Sequence, residues 1–353
     1  MKKILVTDFL CVEEHRAVNV DIIDCLAKKF DVTVMNINGY FDVNKNNFDN
    51  KGIKFVDYVC RSRGKTGNEV RKFSLETMKI TGKEIKKNQY DGVLSLSFDT
   101  VVMAIGRFFI NHSHLYIYHH KNIDELSNGI KRTLFNTYKN KVYHIVFEQF
   151  FKDYLYEDVN VAYPRIMVVP HPIRDDIQQN SNIKNDCVGL CNSNSEKFID
   201  EMCEVFKNDD KYKIILRSKK QKFSSGSVKI ISGFLDAEVY YNYINTSKTV
   251  IVPVPNSYKY RLSGSIYDAL SRRKIVLTNN SFYADAYNKL YSGTCIFVSN
   301  AKDVKSYFEN NESEGKNIDS SFKKFIYDHQ KTSIAIRMEK VIKETMEEKN
   351  DYN

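Results

Sequence analysis

Short apolar runs alternate with longer amphipathic segments along the chain, and this alternation occurs twice. In the first half the apolar runs lie at 3–7, 32–36, 54–57, 92–97, 115–118 and 144–147, and in the second half at 187–190, 213–217, 228–231, 249–252, 274–278 and 294–298. Runs of this length between segments of helical periodicity indicate buried strands joined by helices. The sequence therefore predicts two parallel sheets, each flanked by helices.

Polar stretches divide the chain at two places. Pro170 and Pro172 open a polar stretch between the two series, and we read residues 167–186 as an interdomain linker. After residue 298 the chain turns polar again, and 320–348 then shows apolar residues at helical spacing. We predict an N-terminal Rossmann-like domain over 1–175, a C-terminal one over 183–325, and a helix within 326–353 that packs back on the first domain.

Composition limits the class of protein. The chain has 353 residues with 13% aromatic residues, enough for two packed cores. Its seven cysteines have neither a disulfide framework nor a paired zinc spacing, and no apolar run suits a signal peptide or a membrane span. We expect a cytoplasmic protein.

The net charge of +9 includes a dense basic set between Arg61 and Lys87. Two interpretations stay open: peripheral contact with an anionic membrane, and ordinary solvated helix faces. Nucleic acid fits the charge alone, and we do not expect it as a partner.

Several catalytic motifs are missing. No GxGxxG follows the first strand, which disfavours nicotinamide and flavin cofactors, and Gly64-Lys65-Thr66 lacks the earlier glycine of a P-loop because Val59 stands there. Neither an Asp-x-Asp pair nor a G-x-S-x-G elbow occurs. His112 and His114 precede the strand at 115–118, whereas His119 and His120 follow it, so a shared metal is not expected. We expect neither a metal nor a cofactor.

The stretch Tyr260–Thr278 has the pattern of an anion site. Ser263, Gly264 and Ser265 stand where a helix begins, so free N–H groups and short hydroxyls can face an anion, and Arg261 can add a charge. The alternative is an ordinary helix N-cap followed by a strand.

Other loops of the second half end at the same predicted sheet edge. Lys197 follows the strand at 187–190, and Arg217 ends the strand at 213–217. Gly233, Phe234 and Leu235 follow the next strand and offer a backbone edge and a ring for a nucleobase, although Phe234 could equally be a core residue. Because carboxyl ends of parallel strands share one edge, these loops predict a diphosphate site.

At the corresponding edge of the first half stand His119 and His120. A neutral histidine there could hydrogen-bond a substrate hydroxyl, or it could only orient its own loop.

Taken in order, KIILRSKK, SGFLDAEVYYNYINTSKTVIVPV and YRLSGSIYDALSRRKIVLT resemble the GT-B glycosyltransferases, in particular the family 4-like enzymes of bacterial surface polysaccharide assembly. The resemblance covers the C-terminal half, with HH after a strand and VVPHPI in the N-terminal half. It implies the GT-B fold: two Rossmann-like domains facing a cleft, with a C-terminal helix crossing back to the first.

The resemblance also implies roles for individual residues. Lys197 and Arg217 correspond to donor-phosphate cations, Ser263–Ser265 to the phosphate turn, and Asp268 to the acidic residue that binds the donor ribose. His120, or its neighbour His119, corresponds to the histidine near the reacting centre. Tyr260 stands where the family has a catalytic glutamate, and DFLCVEEHRAVN lacks the glycine-rich acceptor loop.

The expected activity is transfer of a sugar from a nucleotide-diphosphate donor to a glycan or lipid-linked acceptor in lipopolysaccharide or capsule assembly, retaining and independent of metal, in the cytoplasm or at the inner face of the cell membrane. The alternatives are a nucleotide-sugar epimerase and a non-catalytic nucleotide-sugar-binding subunit.

Overall fold

The computed structural model describes residues 1–48, 51–62, 67–174, 182–220, 224–233, 235–255, 258–310 and 318–347. The chain forms two compact units. The first comprises Met1–Pro172, Tyr260–Leu262 and His329–Asn353, and the second Ile173–Lys259 and Ser263–Asp328. Each contains one parallel sheet, so the predicted pair of sheets is confirmed.

The sheet of the first unit has seven strands. They are β1 (Lys3–Thr7), β2 (Asp31–Ile37), β3 (Lys54–Tyr58), β4 (Gly92–Ser95), β5 (Leu115–Tyr118), β6 (Tyr143–Val146) and β7 (Ile166–Val168), in the order β3-β2-β1-β4-β5-β6-β7. β1 pairs with both β2 and β4, so the strand order reverses beside it. Such a switch point opens a crevice at the carboxyl ends of the strands.

Helices connect these strands: α1 (Arg16–Ala27), α2 (Gly67–Lys87), α3 (Thr100–Gly106), α4 (Gly129–Asn136) and α5 (Gln149–Glu157). Ile4, Leu5 and Val6 are completely buried although they alternate between the two faces of the sheet. Both faces are therefore covered, which explains why the strands read as continuous apolar runs.

The second unit has a six-stranded sheet. Its strands are β8 (Asn185–Gly189), β9 (Ile214–Arg217), β10 (Val228–Ile231), β11 (Ser247–Val252), β12 (Ile275–Thr278) and β13 (Cys295–Phe297), in the order β10-β9-β8-β11-β12-β13. The helices are α6 (Glu196–Val205), α7 (Ala237–Asn245), α8 (Gly264–Ser271), α9 (Ser281–Leu290), α10 (Ala301–Asn310) and α11 (Asp319–His329). β8 and β11 flank the reversal of strand order in this sheet.

The C-terminal segment differs from the single helix predicted for 320–348. α11 ends at His329, and a separate helix, α12 (Lys331–Glu347), follows. Ile334, Met338 and Ile342 of α12 are buried in the core of the first unit. The Lys331 ammonium lies 2.8 Å from the Asp21 carboxylate. The chain thus returns to the first unit, as the sequence predicted.

One strand was missed. Residues 167 and 168, which we assigned to the linker, belong to β7 and pair with β6. A three-residue strand next to two prolines gives too short an apolar run to be separated from a linker by periodicity. Residues 175–181 of that linker lie outside the described residues. None of the helices in the described ranges is both long and apolar enough to cross a bilayer.

Candidate functional site

The carboxyl edge of the second sheet is organised by Asn194. Its side-chain N–H group donates to the carbonyls of Gly189 (2.8 Å) and Arg217 (3.0 Å), which ties the loop after β8 to the end of β9. Both donor protons are used, so Oδ1 is fixed on the opposite side. Asn194 is only 7% exposed, and Oδ1 has no hydrogen-bond partner among the described residues. A buried acceptor without a partner marks a place where a donor is expected.

The same loop meets the turn before α8. Cys191 Sγ lies 2.9 Å from Ser193 Oγ and 4.0 Å from Ser263 Oγ. Ser263 is the N-cap residue of α8, but its hydroxyl does not cap the helix. Three small polar groups from two loops are therefore close together beside a helix N-terminus.

The first turn of α8 is open to a ligand. A Cβ atom built on Gly264 would have nothing within 4 Å, and the residue is exposed. N–H groups of a first turn have no acceptor within their helix and carry partial positive charge. This turn can thus receive an anionic oxygen from solvent.

Asp268 lies one turn further along α8 and is held by two residues that sequence reasoning missed. The Tyr240 hydroxyl is 3.1 Å from both Asp268 Oδ2 and Ser265 Oγ, so its single proton can serve either. Arg272 Nη1 is 3.9 Å from Asp268 Oδ1 and donates to the Asp268 carbonyl. Burial raises the pKa of Asp268, while Arg272 and Tyr240 oppose that rise. The only sequence signal for Tyr240 is the adjacent pair of tyrosines in EVYYNY.

Of the two predicted donor-phosphate cations, Arg217 suits the site better. Its side chain is half-buried, and within the described ranges its guanidinium makes no hydrogen bond or ion pair. Lys197 is 89% exposed, and its nearest acid is Glu201, 4.0 Å away on α6. The Lys197 side chain therefore lies mainly in solvent, and its role as a donor-phosphate cation stays a prediction.

The predicted base loop is described in part. Gly233 is exposed and has φ +85°, a conformation that favours glycine. Leu235 is half-buried, and Asp236 then caps α7 through Val239 N–H (2.8 Å). α7 carries Tyr240, so this loop is followed directly by the helix that positions Asp268. Phe234 lies outside the described residues.

Tyr260 and Arg261 belong to the first unit, unlike the turn that follows them. The Tyr260 ring stacks on Tyr154 with centroids 4.0 Å apart, and its N–H donates to Asp124 Oδ1 (2.6 Å). Arg261 Nε is 3.4 Å from Asp124 Oδ2. Tyr260 thus packs as an aromatic within the first unit, and Arg261 is engaged by a carboxylate of the same unit; the roles that the resemblance implies for both stay predictions.

The two predicted histidines follow β5 and differ in their surroundings. His119 is buried, and its Nε2 is 2.9 Å from His144 Nδ1, while His144 Nε2 donates to the Lys139 carbonyl. This chain makes His119 Nε2 a donor and leaves its buried Nδ1 as an acceptor with no partner in the described part of the chain. Burial lowers the pKa of His119 well below its usual value.

His120 is half-buried, and its Nε2 donates to the Leu96 carbonyl (2.9 Å), which leaves Nδ1 as the acceptor. Its ring stacks on His15 at 4.2 Å. Burial, reinforced by His15, lowers the pKa of His120, so the ring is neutral at physiological pH. The structure thus adds His15, which the sequence did not single out, to the residues around His120. Burial and the charge of Lys121 lower the pKa of His15 to about 4.

A cavity of about 770 Å³ lies at the carboxyl edge of the first sheet. Its lining is mixed, polar and apolar in nearly equal shares, and includes residues of DFLCVEEHRAVN. It consists of Leu10, Cys11, Glu13, Ile37, Asn38, Tyr40, Val59, Cys60, Arg61 and Phe73. The loop after β1 contains no glycine. Its conformation is held by the buried Asp8 carboxylate, which accepts from the N–H groups of Leu10 (2.9 Å) and Cys11 (2.7 Å), and Cys11 has φ +49°.

Comparisons with known proteins place the fold. No protein-family model matches the chain, and no curated protein matches it by sequence. A sucrose-phosphate synthase from Thermosynechococcus elongatus is similar in structure, with TM-score 0.68 and 10% identity over 98% of this chain and 99% of that one. HepE of Anabaena, solved with UDP and glucose, gives TM-score 0.67 and 12% identity over 98% and 100%. The lipopolysaccharide outer core galactosyltransferase WaaB, in its apo form, gives TM-score 0.65 and 10% identity over 98% of this chain and 99% of that one. The chain has the GT-B fold.

Across the described residues, no group of three or more His, Cys, Asp or Glu side chains is arranged to hold a metal ion.

Proposed function

We propose that the protein is a glycosyltransferase that moves a sugar from a nucleotide-diphosphate donor. The observation that carries this proposal is the meeting of the loop after β8 with the turn before α8, where Ser193 and Ser263 flank Cys191 beside an open helix N-terminus. The GT-B fold and the UDP held by the Anabaena protein support the same ligand class.

In this proposal each part of the donor nucleotide is bound by a named group of the second unit. Ser263 and the first-turn N–H groups of α8 bind the diphosphate, and the Arg217 guanidinium adds charge. Asp268 accepts from the ribose hydroxyls, with Tyr240 and Arg272 holding the carboxylate. The exposed backbone at Gly233 borders the base. As the glycosidic bond breaks, negative charge grows on the departing diphosphate, and the same N–H groups and Arg217 stabilise it without a metal.

The acceptor belongs, in this proposal, to the first unit. The cavity behind the loop after β1 is large enough for a sugar or a small apolar group, and Glu13 and Arg61 give it polar contacts. Its polar and apolar lining together suit a glycan carried on a lipid, with the sugar on the polar part and the lipid on the apolar part. His120, neutral and with Nδ1 as an acceptor, can hydrogen-bond a sugar hydroxyl. A role in surface polysaccharide assembly draws support from the likeness to the lipopolysaccharide galactosyltransferase. Retention of configuration is part of the proposal.

Calorimetry with UDP tests the donor site. Arg217→Ala should weaken UDP binding about tenfold or more, because a charge-assisted contact is lost. Lys213→Ala is the matched control, since Lys213 precedes the opposite end of β9 and is exposed. Equal affinity of the Arg217 variant and the control would remove Arg217 from the site. Turnover should also survive a chelator.

A non-catalytic nucleotide-sugar-binding role is favoured by one observation. Tyr260 presents no carboxylate, and its ring packs on Tyr154. A protein of that kind would bind UDP yet release no UDP from donor sugar with any acceptor. Incubation of donor alone, followed by analysis for an epimer, distinguishes the third candidate, an epimerase.

A further inference from the structure

One surface of the first unit combines exposed large apolar side chains with lysines. Ile105, Phe108 and Phe109 are 59%, 79% and 40% exposed and lie at the end of α3 and in the single turn that follows it. Their spacing places the three side chains on one side of this segment. We call this set, together with the exposed cations of α2, the aromatic–lysine face.

Close packing on α2 fixes the apolar tip. A Cβ atom on Gly82 would lie 2.0 Å from the Phe109 carbonyl oxygen, so the backbone at Phe109 can approach α2 only over a glycine. The Lys79 ammonium lies 5.1 Å from the centre of the Phe109 ring. The aromatic tip is therefore held directly beside the lysines of α2.

The exposed side of α2 is almost entirely cationic. Its exposed basic residues are Arg71, Lys72, Lys79, Lys83, Lys86 and Lys87. At 3.6 residues per turn the five lysines fall within a sector of about 100°.

The acids of α2 do not balance this charge. Glu84 is buried and accepts from Tyr90 (2.7 Å) and Asn88 (2.7 Å). Glu76 accepts from the Arg61 N–H, and only Glu69 is exposed, at the opposite end of the helix. The carboxylates thus serve the fold, and the lysines face solvent.

We propose that the aromatic–lysine face docks the protein on an anionic lipid bilayer. Lysines of α2 would meet the phosphate headgroups, while Ile105 and Phe108 would enter the boundary between headgroups and acyl chains. The Phe108 side chain is 79% exposed, so its transfer out of water lowers the free energy. The positive charge of the lysines favours anionic over neutral lipid. Nucleic acid would use the lysines but leave Ile105 in water. The inference does not depend on sugar transfer.

Flotation with vesicles tests the proposal on the full chain without nucleotide. The protein should bind vesicles of equimolar phosphatidylcholine and phosphatidylglycerol, bind pure phosphatidylcholine much less, and dissociate as salt is raised. Lys79→Gln/Lys83→Gln should weaken binding roughly thirtyfold, at roughly fivefold per lysine. Lys340→Gln/Lys343→Gln removes the same charge from α12 and should change binding less than threefold, a small effect expected from the lower net charge.

The apolar contribution has its own pair of variants. Phe108→Ser should weaken vesicle binding severalfold, whereas Ile336→Ser, at an apolar position that is 55% exposed on α12, should not. Both side chains are largely in solvent, so neither change should prevent folding. Equal binding to neutral and anionic vesicles, unchanged binding of the Lys79/Lys83 variant, or salt-sensitive binding to RNA in place of vesicles would each overturn the proposal. UDP affinity is the independent readout: it should be the same in all four variants.

Discussion

The two units use the same sheet edge, yet the residue that organises the first loop is acidic in one unit and neutral in the other. After β1 the loop is held by a buried carboxylate, Asp8, which accepts from Leu10 and Cys11 N–H and from Asn19. After β8 the loop is held by a neutral amide, Asn194, whose Oδ1 accepts no hydrogen bond from any described residue. A buried carboxylate repels an anion, whereas a neutral loop beside Arg217 and a helix N-terminus accepts one. If the proposed function is right, the residue that organises the first loop decides which of two similar units takes the phosphate.

Removal of Asp8 should have the largest effect on stability. Asp8→Ala leaves several buried donors without an acceptor, and the melting temperature should fall by about 5–10 °C. Differential scanning calorimetry measures it. Glu14→Ala, an exposed acid near the same loop, should leave the melting temperature unchanged. If both variants melted alike, Asp8 would not be what shapes the loop.

Giving the second loop the charge of the first should abolish most nucleotide binding. Asn194→Asp places a buried negative charge near the proposed diphosphate, and UDP affinity should fall on the order of a hundredfold. The exposed Asn192 of the same loop supplies the comparison. Asn192→Asp should lower UDP affinity only a few-fold, because solvent and salt screen an exposed charge. A similar loss in both would show that general charge, and not the buried position, controls binding.

Neutralising Asp268 should separate binding from stability. Burial raises the pKa of Asp268, so the folded protein holds this proton more tightly than the unfolded chain does. The protonated Asp268 side chain therefore contributes to stability at low pH, and this contribution declines as pH rises through the raised pKa. Asp268→Asn should therefore be at least as stable as the wild type at neutral pH, yet bind UDP about tenfold more weakly. Thermal unfolding between pH 4 and pH 8 and calorimetry measure the two effects. Loss of stability together with binding would make Asp268 a structural residue.

The smallest effect is expected from the Tyr240 hydroxyl. Tyr240→Phe removes the hydrogen bond to Asp268 or Ser265 but keeps the ring, and UDP affinity should fall roughly threefold to tenfold. Tyr243→Phe on the same helix should bind UDP like the wild type. Unchanged affinity in the Tyr240 variant would mean that Arg272 alone positions the carboxylate.

The positions of the strands along each unit were largely predictable from sequence, whereas side-chain contacts between distant residues were not. Twelve of the strands in the described ranges coincide with apolar runs, and in central strands such as β1 and β4 burial on both faces makes that signal continuous. The short β7 was missed because three residues give no period. Tyr240 was missed because nothing local tells that its hydroxyl lies beside Asp268, on the next helix along the chain.

By itself, the sequence determined the two parallel sheets, the helix start at Ser263 and Gly264, and the presence of polar loops at the carboxyl ends of the strands. These follow from local preferences and from the period of apolar residues. The tertiary structure alone decided that Tyr260 stacks on Tyr154, that Lys197 stays in solvent, and that Cys191 joins Ser193 to Ser263. The Tyr260–Tyr154 and Cys191–Ser263 contacts join residues far apart in the chain, and no local sequence pattern specifies them.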